Sequence, residues 1–168
     1  MTSVAMLAPR GTRVLHGLAL LCCTLVFGLT LTHVLQSPGS RTLDGPEWLD
    51  VMHTFYGGFA AVGGVTEVLG LVLTAVLAVL ALSRRLVSPG IAFLVAALCL
   101  LGTLLAYWFG NRPVNALVAV WTPATLPDDW SAYRTSWEAA HAVSTGLSAL
   151  ALICVAVVLL MRAYPRRS

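Results

Sequence analysis

The stretch "LGLVLTAVLAVLAL", Leu69 to Leu82, decides the fold class. It contains no charge, no proline and no alternation of polar with apolar residues. A strand of a membrane barrel alternates, whereas a lipid-crossing helix is apolar all round. Three further stretches read the same way, placing helices near residues 14–35, 54–83, 90–110 and 130–162. Each reaches the roughly 20 residues needed to cross a hydrocarbon core. Composition agrees, with 58% hydrophobic and 10% charged residues, against roughly 25% charged in a soluble domain. The expected architecture is all-α: one integral membrane domain, an up-down-up-down four-helix bundle.

Charge placement orients it. All ten basic residues are arginine. Arg10, Arg13, Arg84, Arg85, Arg162, Arg166 and Arg167 flank one set of helix ends, and only Arg41, Arg112 and Arg134 flank the other. The asymmetry predicts a multi-pass plasma-membrane protein with both termini cytoplasmic. The first apolar run exceeds the roughly 7–15 residues of a signal-peptide core, so it is expected to stay as helix 1. The lipid bilayer is the first partner; no basic patch points to nucleic acid, and the oligomeric state is open. Cys22, Cys23, Cys99 and Cys154 all fall inside helices and read as small packing residues.

The connections are short except one. "QSPG" is expected to end helix 1, and "DGPEWLD" to begin a helix feeding helix 2. "GNRPVNALVAVW" is too apolar for a free loop, so a short interfacial or re-entrant helix is expected near Val114–Trp121. Asp128 or Asp129 is a natural N-cap for helix 4.

The helix-end arginines serve as a depth ruler. At 1.5 Å per residue, His33, Glu67, Asn111 and His141 all lie about 25–33 Å above the inner boundary. Each helix thus brings one polar group to one level. Trp130, Arg134, Trp137 and His141 share a helix face, continued by Thr145 and Ser148. Thr103, Tyr107 and Asn111 form a similar ladder on helix 3. Polar groups in a bilayer turn toward the bundle interior. On helix 2, Gly57, Ala60 and Gly64 share a side with His53 and Glu67. Small residues there let a neighbouring helix pack closely, or leave room for a ligand.

These residues admit three chemistries. In the first, His141 is a base, with Arg134 and Glu67 assisting, on a hydrophobic small-molecule substrate held by Asn111, Asn115, Trp130, Trp137, Tyr107 and His33. No cofactor is then expected. In the second, His33, Glu67, Glu138 and His141 hold a single transition metal ion, since "EAAH" puts Glu138 and His141 on one helix face, and the protein is a metal-dependent membrane oxidoreductase. In the third, the polar cluster fixes helix register in a non-enzymatic protein that binds lipid or a partner. Arg134 and Glu138 can also form an i, i+4 pair, and Trp48, Trp108 and Trp121 read as interfacial anchors.

Asn111, Pro113, Val114 and Asn115, followed by Trp130, Arg134 and Trp137, resemble the pattern of the anthrone-oxygenase-like family of small four-helix membrane proteins, much of it a domain of unknown function. Where many members carry Trp-Asn and an arginine three residues on, this chain has Ala140, His141 and Ser144. The resemblance implies a four-helix fold and cofactor-free oxygenation of an anthrone or similar aromatic polyketide.

Overall fold

The structure, a computed structural model, describes residues 10–163. Arg166 and Arg167, part of the charge asymmetry, lie outside the described residues. Four helices are long and apolar enough to cross a membrane. In chain order the elements are α1 (Arg10–Ser40), α2 (Gly45–Ser83), α3 (Val87–Ala106), a π-helical turn (Tyr107–Asn111), α4 (Arg112–Val118) and α5 (Trp130–Ala163). Packing runs round a ring: α1 on α2, α2 on α3, α3 on α5 and α5 on α1. Short connections at 41–44 and 84–86 force neighbours antiparallel, giving the expected four-helix bundle.

The core divides in two. Toward the Arg84 end, Cys23, Val26, Leu77, Phe93, Leu100, Ala151 and Val155 interdigitate. Cys22, Cys23, Cys99 and Cys154 are free, and the first three are buried, as small packing residues should be. Toward the α4 end, Trp48, Leu49, Met52, Val114, Val118 and Trp137 form a second cluster. Trp48 therefore belongs to this cluster, at 2% exposure, and is not the lipid anchor expected of it. Its ring is covered by Trp130, with centroids 5.6 Å apart.

Helix ends account for several departures. Helix 1 passes through "QSPG" to Ser40, with Pro38 inside it. A proline this near the C-terminus removes one backbone donor from the last turns. Just past the helix end, Arg134 Nη1 donates to Ser40 O at 2.8 Å and to Leu43 O at 3.4 Å. A cation there also opposes the negative end of the helix dipole. The "DGPEWLD" helix is continuous with α2, which starts in a full capping box: Glu47 N donates to Asp44 Oδ1, and Asp44 N to Glu47 Oε2. Asp129 directly precedes α5, and its carbonyl accepts from Ala132 N. The short helix expected at Val114–Trp121 runs over Arg112–Val118 instead.

The π turn has an identifiable cause. Pro113 cannot donate to Phe109 O, and its ring would crowd that carbonyl. The ladder shifts, and Arg112 N bonds to Tyr107 O, five residues back. The widened turn brings Gly110 against α5, where a Cβ on it would sit 2.5 Å from Ala140 Cβ. Gly110→Ala is expected to cost about 1–3 kcal/mol through overpacking, read as a lower thermal midpoint in detergent. A variant as stable as the parent would show that α3 and α5 can separate freely here.

Candidate functional site

Between the two core clusters lies a cavity of about 580 Å³. It is walled by α1, α2, α3 through Leu104, the π turn, α4 and α5. Ligand pockets are typically about 300–1,000 Å³ and mostly apolar, and this one fits that description.

Two histidines face each other on its wall. The rings of His33 on α1 and His141 on α5 have centroids 4.0 Å apart, tilted by 37°. Trp137 packs edge-on against both, at 4.2 Å from His141 and 5.0 Å from His33. Tyr56 and Phe59 on α2 complete an aromatic box, at 5.0 and 5.1 Å from His33. The Nδ1 atoms of both histidines are buried with no hydrogen-bond partner.

The asparagines hold Trp137 in place. Asn111, 1% exposed, donates from Nδ2 to Trp137 O at 2.9 Å. Asn115, one turn on, accepts from Trp137 Nε1 at 2.8 Å through Oδ1. That bond fixes the amide of Asn115, whose NH₂ remains for a ligand. Proline, π turn and paired asparagines thus act together: the widened turn delivers Asn111 and Asn115 to the same tryptophan.

Glu67 lines the far end of the cavity. The only ion pair among the described residues is Arg41–Glu138, so Glu67 has no cationic partner there. His53, also on the wall, engages the last carbonyl of α4 through Nε2···Val118 O at 2.8 Å.

Of the residues singled out from sequence, His33, Glu67, Tyr107, Asn111, Asn115, Trp137 and His141 all line the cavity. Trp130 and Arg134 do not. They share the helix face but sit more than a turn further out. There Arg134 lies over the Trp130 ring, 4.7 Å from its centroid, and closes the end of α1. Glu138 does not pair with Arg134. Its Oε2 accepts from Arg41 Nε at 3.0 Å and from Ser37 Oγ at 2.8 Å, because α1 runs past Pro38 and carries both groups to it. Glu138 is thereby turned from the other members of the four-ligand metal set, and no group of three or more His, Cys, Asp or Glu gathers as a metal site among the described residues. The small residues of α2 leave room: a Cβ on Gly57 or Gly64 would meet nothing within 4 Å.

Tyr56, Phe59 and Met52 are wall residues that the polar pattern missed. They do carry a signal. Met52, Tyr56, Phe59, Gly63 and Glu67 recur at i, i+4, i+7, i+11 and i+15, one helical stripe. Compared with known proteins, the chain matches no family model, no curated protein and no solved structure.

Proposed function

We propose that the protein is a membrane oxygenase acting on an aromatic carbon acid, with no cofactor and with His141 as base. The observation that carries this reading is the stacked His33–His141 pair, without hydrogen-bond partners at Nδ1, in an aromatic box on a cavity of about 580 Å³. Flat walls select a flat ligand, and a neutral imidazole is the side chain suited to take a proton from an activated C–H. The resemblance of Asn111–Asn115 and Trp130–Trp137 to the anthrone-oxygenase-like pattern supports the same class.

In the proposed reaction, His141 removes a proton from the ring CH₂ of an anthrone. The enolate oxygen takes a hydrogen bond from the free NH₂ of Asn115, a donor of the oxyanion-hole kind. The carbanion gives one electron to O₂, and the resulting radical pair closes a C–O bond as a hydroperoxide. Loss of the second C–H proton with cleavage of the O–O bond releases water and leaves a carbonyl. One O₂ is consumed, one of its atoms entering the quinone and the other the water. The charge asymmetry supports a plasma-membrane location with the cavity in the outer half of the bundle.

Purified protein in detergent is expected to consume oxygen with anthrone, one O₂ per quinone formed. Uptake no faster than in protein-free detergent would overturn the reading. A stoichiometric transition metal in the purified protein would favour the metal-dependent alternative.

A further inference from the structure

The exposed part of the cavity wall determines how a ligand reaches it. Gly57, Ala60, Gly64 and Val68 on α2 and Trp108 on the π turn line the cavity and are nevertheless exposed. They are the two lips of one cleft, and none carries a charge. The α2 lip stays open because it lacks side chains: the space beside Gly57 and Gly64 is empty to at least 4 Å. The α4 end of the cavity differs in chemistry: His53 and Ala119 line it there and are also exposed. Met52, Val114 and Val118 are buried together there, and His53 ties α2 to the last carbonyl of α4.

Height matters as much as opening. Counted back from Arg84 at 1.5 Å per residue, Val68 lies about 24 Å along α2 and Gly57 about 40 Å. A hydrocarbon core is about 30 Å thick. The cleft therefore begins among acyl chains and ends among headgroups. A ligand dissolved in lipid meets the apolar slot, whereas the exposed α4 end is crossed by the His53–Val118 hydrogen bond.

We infer that the ligand enters sideways from the bilayer through this cleft and is an amphiphile of one kind: a planar aromatic ring carrying a long saturated chain. The ring seats in the box of His33, Tyr56, Phe59 and Trp137. The chain lies along Gly57–Gly64 and leaves past Val68 and Trp108 into the leaflet. A slot walled mainly by Gly57, Ala60, Gly64 and Val68 gains from an apolar chain and would strip a polar one of its water. The ring rests on the aromatic-ligand reading above; the chain and the route rest on the cleft.

The test uses the full-length protein in phosphatidylcholine vesicles. The probe is anthracene bearing a long saturated chain with a diazirine a few carbons from the ring; it has no acidic CH₂, so labelling is independent of turnover. On irradiation, labelled peptides are expected to map to Gly57–Val68 and Leu104–Trp108. Chainless anthracene in excess should reduce the labelling by displacing the ring. Gly64→Leu, which fills the slot, should cut the labelling at least tenfold, while Val79→Leu on the exposed face of α2 should leave it unchanged. Labelling confined to the α4–α5 connection, or unaffected by Gly64→Leu in protein that remains folded by its thermal midpoint, would overturn the inference. Cleft labelling without oxygen uptake on anthrone would keep the route and remove the chemistry. Oxygen uptake with label only at the α4 end would do the reverse.

Discussion

Replacing His141 with alanine is expected to slow oxygen uptake on anthrone by about 10²–10⁴-fold, the usual contribution of a positioned general base. The geometry makes the substitution informative. His141 is held between the His33 ring at 4.0 Å and the Trp137 edge at 4.2 Å, so its loss leaves a hole of imidazole shape in a fixed wall. Added imidazole should enter that hole and restore part of the rate, an effect that a purely structural histidine would not show. His33→Phe keeps a ring against His141 and removes only the second imidazole, so a smaller loss is expected. The assay is single-turnover oxygen uptake with saturating anthrone, which separates the proton-transfer step from ligand release. Undiminished turnover in His141→Ala would remove that residue from the reaction, and a larger loss in His33→Phe would transfer the base to α1.

The same region shows what the sequence makes legible. Lipid imposes a simple rule, that backbone groups are satisfied within helices, so four long apolar runs translate directly into four helices. The depth ruler works for the same reason, because regular helices convert residue number into height. It brought His33, Glu67, Asn111 and His141 to one level, and all four line one cavity. Helix facing also located Trp137 and His141. What facing could not supply was the end of the stripe. Trp130 and Arg134 lie on the same line, yet α1 is longer than its "QSPG" signal implies, and the backbone at its end engages Arg134.

The partner of Glu138 was hidden by that same extension. Ser37 and Arg41 lie in and just beyond a segment that reads as a turn, and only a helix continued through Pro38 carries them to α5. The π turn was illegible for a different reason. Proline marks a break, but the sequence does not say whether the chain kinks, stops or inserts a residue. Insertion is what lets Asn111 and Asn115 both reach Trp137. Tyr56 and Phe59 were legible in principle. They belong to a helical stripe that ends at Glu67, but they lack the charge and amide groups that mark other residues of the wall.

Trp137→Ala is expected to cost about 3–5 kcal/mol, the range for removing a buried large aromatic side chain. Trp137 is 5% exposed and belongs to the cluster at the α4 end. Counted back from Met161 at 1.5 Å per residue, it lies about 36 Å along α5, beyond a hydrocarbon core of about 30 Å. Its burial therefore removes apolar surface from interfacial water, and the transfer cost applies in full rather than being cancelled by lipid. Truncation would also strand Asn115 Oδ1, which accepts the indole N–H at 2.8 Å, and expose the edges of His33, His141 and Tyr56. The backbone bond from Asn111 to Trp137 O survives any side-chain change, so α5 should stay in register. Trp137→Phe separates the contributions: it retains most of the ring and loses the one hydrogen bond, for an expected loss of about 1–3 kcal/mol from the unsatisfied amide oxygen. Denaturant titration in detergent, followed by far-UV circular dichroism, measures both. A loss below 1 kcal/mol in Trp137→Ala, with the cavity still binding anthracene, would mean that the box does not depend on its tryptophan and that the paired asparagines serve some other group.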